Sequence, residues 1–260
     1  LRVLRNRNLM IGTILSFLLG FGLYGSTFIV PLYTQSILGW TATDAGMLFI
    51  PSGIATGLMM PVIGWLLQKG VKEKYVIVSG LTIFFIYSLW GYKILTPDTP
   101  ADAFWWPLIV RGFGLSMLFI PITTLALSTL HGKAIGDGAA FTGMMRQLGG
   151  SFGIAGIATY ISHQNNVHRM DLISHLDMSN PVVQQRVNAL QHGFFAKGMA
   201  PNVALKSALQ AIEYGVDKQS VVMSYMDVFL YIGVLFLLCI PVILLVKGHK
   251  EQMMKMMPVE

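Results

Sequence analysis

Six apolar runs, each about the length of a bilayer crossing, constrain this chain more than any other feature. A helix needs about 20 mostly apolar residues to cross the hydrocarbon core. The runs are Leu9–Leu32, Ala45–Leu67, Tyr75–Leu95, Phe104–Leu130, Gly138–Ile161 and Val228–Val246. Short connections join the first five, and one long polar segment, His163–Tyr225, separates the fifth from the sixth. Of the 260 residues 54% are hydrophobic and only 12% charged, against about 25% charged in a soluble domain. Mean hydropathy is +0.62. That leaves too little polar surface to cover a water-exposed globule, which argues against a soluble enzyme and against disorder. Cys239 is the only cysteine, so there is no disulfide scaffold. The expected fold class is an all-α membrane protein of six transmembrane helices, with residues 1–260 as one domain.

The net charge of +6 points to topology rather than to nucleic acid, because the basic residues flank apolar runs and form no basic face. Ten of the 18 Lys and Arg (Arg2, Arg5, Arg7, Lys69, Lys72, Lys74, Lys133, Lys247, Lys250, Lys255) fall on one side. On the other side the two short loops have only Lys93 near them. The long segment counts little, since long loops translocate regardless of charge. Both termini are expected in the cytoplasm of a multi-pass cell (inner) membrane protein, and 163–225 outside. Tyr33, Trp40, Trp90, Tyr92, Trp105, Trp106, Tyr160 and Tyr225 gather at the outer ends, as an interfacial belt does. The chain starts at Leu1 rather than Met, which suggests a piece of a longer protein. The first apolar run is too long for a cleavable signal peptide.

Spans one and four share a pattern. Gly20-Phe21-Gly22-Leu23 leads to Phe28-Ile29-Val30-Pro31, and Gly112-Phe113-Gly114-Leu115 leads to Phe119-Ile120-Pro121. Spans two and five open with Asp44-Ala45-Gly46 and Asp137-Gly138-Ala139. Offsets of 92 (22→114), 90 (31→121) and 93 (44→137) suggest duplication of a three-span unit. Three is odd, so the copies would be inverted, a 3+3 transporter architecture. Chance similarity between glycine-rich helices is the competing explanation. Span five carries Gly149-x-x-x-Gly153 beside Gly150, and small residues let helix backbones approach closely. Spans three and six, richer in large aliphatics, are expected to face lipid.

These residues resemble a known family. Arg7-Asn8, Trp40-Thr41-Ala42-Thr43, Pro51-x-Gly53, Trp106-Pro107 with Gly112-Phe113, Phe119-Ile120-Pro121-Ile122-Thr123-Thr124 and Arg146-Gln147-Leu148-Gly149-Gly150-Ser151-Phe152-Gly153 carry the likeness. The chain is similar to the carboxyl-terminal half of a major facilitator superfamily transporter, and more narrowly to fourteen-span drug:proton antiporters of the EmrB/QacA type. Gly64–Lys72 resembles that superfamily's loop motif, with Gln68 where aspartate is usual. The resemblance implies that spans one and four line a central cavity, that two and five form the moving interface, and that three and six face lipid. It also implies several partners: a missing amino-terminal half, the lipid bilayer, small amphiphilic drug-like substrates and a periplasmic adaptor protein.

No Asp or Glu lies deep in a span. Asp44 and Asp137 stand where a carboxylate caps helix N–H groups, and Asp227 stands at the outer mouth, where it is expected to be solvated. Any coupling acid would belong to the absent half. Two arginines do lie inside spans. Arg111 is about 9 Å past Trp105 and Arg146 about 12 Å past Gly138 at 1.5 Å per residue. An arginine there costs about 2.5–3.5 kcal/mol on insertion scales unless it snorkels. Cavity candidates are Arg111, Tyr24, Tyr33, Gln35, Thr123 and Thr124, with Met117 and Phe119 as apolar wall. Arg146, Gly149, Gly150 and Gly153 mark the interface and packing helix. Core packing competes with ligand contact for each of them. No nucleophile–base pair appears, no cofactor or catalytic residue is expected, and the spacing of His163, His168 and His175 does not match a zinc site.

In the outer segment, Pro181–Met199 and Pro201–Val222 are expected to form two short helices, and the Lys250/Lys255 tail to lie along the inner lipid surface. The functional expectation is half of a polyspecific efflux carrier working by alternating access. The alternative is a self-sufficient six-span channel-like or assembly protein, or an inactive truncated product.

Overall fold

The computed structural model describes residues 7–244. Arg2, Arg5, Lys247, Lys250, Lys255 and the carboxyl-terminal tail lie outside the described residues. The described chain is all helical, with α1 (Arg7–Ser36), α2 (Ala42–Met47), α3 (Phe49–Gln68), α4 (Glu73–Ile94), α5 (Trp105–Leu127), α6 (Lys133–Ser174), α7 (Pro181–Ala196) and α8 (Pro201–Leu244). Local chemistry sets the boundaries. Thr41 caps α2: its hydroxyl accepts from the Asp44 amide at 3.2 Å and donates to the Asp44 carboxylate at 2.7 Å. The cap is therefore Thr41, and Asp44 sits in the first turn. Asp137 likewise lies inside α6, whose cap position is Gly132. Asn180 caps α7 through the Val182 amide, with Pro181 in the first turn. Gly70 and Gly198, at φ of +90° and +89°, end α3 and α7 in the left-handed conformation that glycine adopts at least cost.

Five stretches among the described residues are long and apolar enough to cross a membrane: Asn8–Ser36, Ala42–Gln68, Glu73–Ile94, Ala101–Leu127 and Pro201–Pro241. α6 has the length, at 42 residues, but its glycines and polar residues dilute its hydropathy. Contacts fix the relative directions. Residues 17, 21 and 25 of α1 meet 149, 153 and 157 of α6, so these helices run parallel. α1 meets α5 antiparallel (Gly12 at Ala126, Ser26 at Arg111), and α4 meets α8 antiparallel (Gly91 at Phe229, Ser88 at Gly233). The core sits between α1, α4, α5 and α8, where Phe84 stacks on Phe236 at 4.3 Å. α8 thus buries one face in the bundle while Leu237 and Leu238 stay exposed.

The segment 163–225 is not a loop. α6 runs on to Ser174, and α8 begins at Pro201, so the expected short helix and the last span form one 44-residue helix. No Gly or Pro interrupts the sequence between Asp217 and Asp227. The buried hydroxyls there are satisfied: Ser220 donates to Asn165 at 2.7 Å and Ser224 to the Ser220 carbonyl at 2.8 Å. At 1.5 Å per residue α8 is about 66 Å long, twice the ~30 Å hydrocarbon thickness. Asp227 is not simply solvated. It accepts from Gln164 at 3.1 Å and pairs with His168 at 2.7 Å. Above it Arg169 bridges Asp217 and Glu213. α7 packs on α8 and closes an apolar cleft lined by Ile173, Leu176, Val187, Leu209 and Ile212. At the tip, the Ser179 hydroxyl and amide donate to Asp177 and hold its carboxyl below the usual range.

Candidate functional site

Arg111 is the centre of the site. It leaves α5 one turn beyond Pro107 and is 4% exposed. Its Nε–H donates to Ser26 at 2.9 Å, its Nη1 to Ser52 at 3.4 Å, and its Nη2 to the Leu23 carbonyl at 3.3 Å and to the Thr27 hydroxyl. The Phe49 ring lies 5.3 Å away. Every partner is neutral. α5 reaches α3 closely here because residue 112 is glycine: a Cβ there would stand 2.5 Å from the Ser52 carbonyl oxygen. The Thr56 hydroxyl bridges the contact, donating at 2.8 Å to Ser52 and at 3.1 Å to Gly112.

Beside Arg111 a cleft of about 470 Å³ opens between α1, α3 and α5. Leu23, Phe49, Met60, Leu115 and Phe119 form its apolar wall; Thr27, Ser52, Thr56 and Arg111 supply its polar groups. Thr27 also borders a second cleft of about 470 Å³ along α1, with Pro31 and Gln35. Arg146, from α6, stacks its guanidinium 4.1 Å over the Phe119 ring. Its Nε is buried with no partner among the described residues.

The residues singled out from sequence divide. Arg111 and Phe119 meet in the first cleft, Gln35 lines the second, and Tyr24 lies across α1, donating to Gln147 at 3.0 Å and packing on Gly150. Tyr33 is buried between Phe104 and Tyr225 and donates to the Thr96 carbonyl. Met117 packs against Gly80 of α4, and the hydroxyls of Thr123 and Thr124 bond back to the carbonyls of Phe119 and Ile120. None of these four lines either cleft. Gly149 and Gly153 face α1 inside the bundle: a Cβ would stand 2.0 Å from the Phe17 oxygen and 2.7 Å from the Phe21 oxygen. Glycines 46, 53, 57 and 64 of α2–α3 and 136 and 143 of α6 instead face open space.

Sequence reading found α3 as a span but missed it as a wall of the cleft. Positions 49, 52, 53, 56, 57 and 60 follow helical spacing and line one face of the cleft. The signal was a Ser52-x-x-x-Thr56 pair in an apolar run.

The model of the Major Facilitator Superfamily matches residues 1–154. The chain belongs to that superfamily. It is similar to the fatty acid resistance protein FarB of Neisseria gonorrhoeae, 26% identical over 248 residues, 95% of this chain and 47% of that protein. It is also similar to the multidrug export protein EmrB of Escherichia coli strain K12, 25% identical over 191 residues, 74% and 37%. A third relative is the colistin resistance protein EmrB of Acinetobacter baumannii, 25% identical over 227 residues, 87% and 43%. The chain spans less than half the length of these curated relatives. Membership places it in a superfamily of multi-pass membrane transporters rather than of enzymes.

Proposed function

We propose that these 260 residues form the carboxyl-terminal six-helix half, a 3+3 inverted repeat, of a polyspecific multidrug efflux carrier. It exports small amphiphilic drug-like molecules by alternating access with an amino-terminal half, which supplies the coupling carboxylate. One observation carries the reading: the Arg111 cleft is built on three different helices yet stays open on one side, as half of a central site would. Its wall is apolar with few convergent polar groups, which suits chemically varied amphiphiles.

Further features support it. α6 runs beside α1, in the same direction, over residues that a crossing helix places in mid-membrane, so α6 serves as span five and completes the six despite its low hydropathy. The exposed glycines of α2–α3 and α6 give both cleft flanks a smooth face on which a second bundle can rock. The relatives are named for multidrug export, colistin resistance and fatty acid resistance. The termini are cytoplasmic and the α6–α7–α8 hairpin is outside, where a periplasmic adaptor would meet it.

The test compares the complete gene product with the 260-residue chain, each purified and reconstituted in liposomes. Export by the complete carrier and none by the chain alone is expected; equal export by both favours a self-sufficient homodimer. For orientation, single cysteines at Asn202 and Lys72 in a Cys239→Ser background are exposed to an impermeant maleimide. Labelling at 202 only is expected in spheroplasts, and labelling at 72 only reverses the topology.

A further inference from the structure

The α6–α7–α8 hairpin holds a cleft that the transport reading does not use. α7 packs along α8 but scarcely touches α6. The gap between them measures about 290 Å³, at the lower end of small-ligand pockets. Its walls are almost wholly aliphatic: Ile173 and Leu176 on the α6 side, Val183 and Val187 from α7, Leu209 and Ile212 from α8. Every wall residue belongs to the hairpin, so no other part of the protein is needed to form the site. A packed aliphatic interface leaves no such space, yet Ile173 and Leu209 stay 44% and 45% exposed. Pinned ends keep α7 from closing the gap. Asn180 accepts from the Val182 amide at 2.9 Å, Gln184 donates to the Met178 carbonyl at 2.7 Å, and Gly198 turns the chain at a φ of +89°.

Charge and size narrow the occupant. At the rim Arg169 meets Glu213 at 3.1 Å and Asp217 at 2.6 Å. One guanidinium faces two carboxylates, so the rim has no surplus positive charge. An anion would lose hydration there without gaining a free cation. An α-helix, about 10–12 Å across with its side chains, is too thick for the space. We propose that this cleft binds a small neutral molecule of one or two rings, wedged between α6 and α7. Such a ligand takes the half-exposed faces of Ile173 and Leu209 out of water and ties α7 to α6, which little else does. The site stands apart from the Arg111 cleft and does not rest on the transport reading.

The experiment uses the complete gene product in nonionic-detergent micelles at pH 8. It is photolabelled with 3-trifluoromethyl-3-phenyldiazirine, a neutral one-ring probe, and the label is mapped by peptide mass. Label on residues 169–216 should saturate and be displaced by excess 2-acetylnaphthalene, whereas label on the apolar spans should rise in proportion to free probe. The anion 2-naphthoate, with the same rings, should displace at least about tenfold less well at equal free concentration. Leu209→Trp and Ile173→Trp each fill the cleft and should abolish the saturable label. Tyr214→Trp, at a position 71% exposed on α8, should keep it. Label that is absent or never saturates, equal displacement by naphthoate, or saturable label kept in both filling variants overturns the proposal. Label that appears only on dilution to monomer also overturns it and makes a second copy the occupant. If one filling variant fails to fold, the other and the competition ranking decide. Export in proteoliposomes is scored separately: its absence counts against transport and leaves the labelling result standing.

Discussion

The two ends of α6 are held in different ways. In the lower part of α6, residues 146–157 lie against α1 backbone to backbone: Gly20 meets the Arg146 carbonyl, and Gly149 and Gly153 meet those of Phe17 and Phe21. In the upper part, long polar side chains join α6 to α8: His168 and Gln164 to Asp227, Asn165 to Ser220, Arg169 to Asp217 and Glu213. The solvent explains the difference. In lipid an apolar side chain gains nothing by moving from acyl chains to protein, so helices associate through close approach. In water the hairpin is driven by burial of Ile173, Val187, Leu209 and Ile212, at about 25 cal/mol per Å², and the polar pairs set its register.

The largest test of this contrast is Gly149→Leu. A Cβ at that position already stands 2.0 Å from a backbone oxygen, and backbone cannot swing aside as a side chain can. A loss of about 3 kcal/mol, the upper end for overpacking, is expected. It should be seen as a lower melting temperature in detergent and a loss of monodisperse protein. An unchanged melt would mean that α6 does not pack on α1 as described.

Arg111→Ala in the complete carrier comes next, read as activity. It removes the guanidinium hydrogen-bonded in the cleft and leaves the Ser52 hydroxyl without its partner, while Ser26 and Thr27 keep their bonds to the Leu23 carbonyl. Drug resistance should be lost at unchanged membrane level, and Arg111→Lys should be intermediate, since lysine keeps charge without the planar fork. Resistance at wild-type level in the alanine variant would reduce Arg111 to an anchor.

Gly215→Ala inverts the sign. This glycine lies on the exposed part of α8, with nothing within 4 Å of an added Cβ. The substitution should stabilise the helix by about 0.5–1 kcal/mol, raising the melting temperature that Gly149→Leu lowers. A drop instead would show that the hairpin surface is covered.

Arg169→Ala should have the smallest effect. The pairs are exposed and salt-screened, so its melting shift should be small, vanish in ~1 M salt and leave export intact. A salt-resistant loss would show that the α6–α7–α8 hairpin relies on ion pairs rather than on apolar burial.

Much of this was legible in the residues themselves. Long apolar runs specify membrane helices because the bilayer leaves unpaired backbone groups no other solution, and α1, α3, α4 and α5 match the runs read from sequence to within a few residues. Arg111 stood out because charge inside such a run is costly. The polar segment 163–225 misled: charges interleaved with apolar residues at helical spacing lower hydropathy without ending a helix, so α6 and α8 continue where the runs stop.

By itself, the sequence determined which segments are helical membrane elements and that a cation is buried in one of them, because those properties depend on local composition and on the cost of unpaired polar groups. Tertiary structure alone decided what surrounds that cation. Ser26, Thr27, Ser52 and Phe49 come from helices up to 85 positions away in the chain, and the close approach at Gly112 helps to bring them together. The tertiary structure likewise turned Gly149 and Gly153 inward to α1 and gave Asp227 its histidine. The direction in which a helix face points depends on its neighbours, and no residue encodes its neighbours alone.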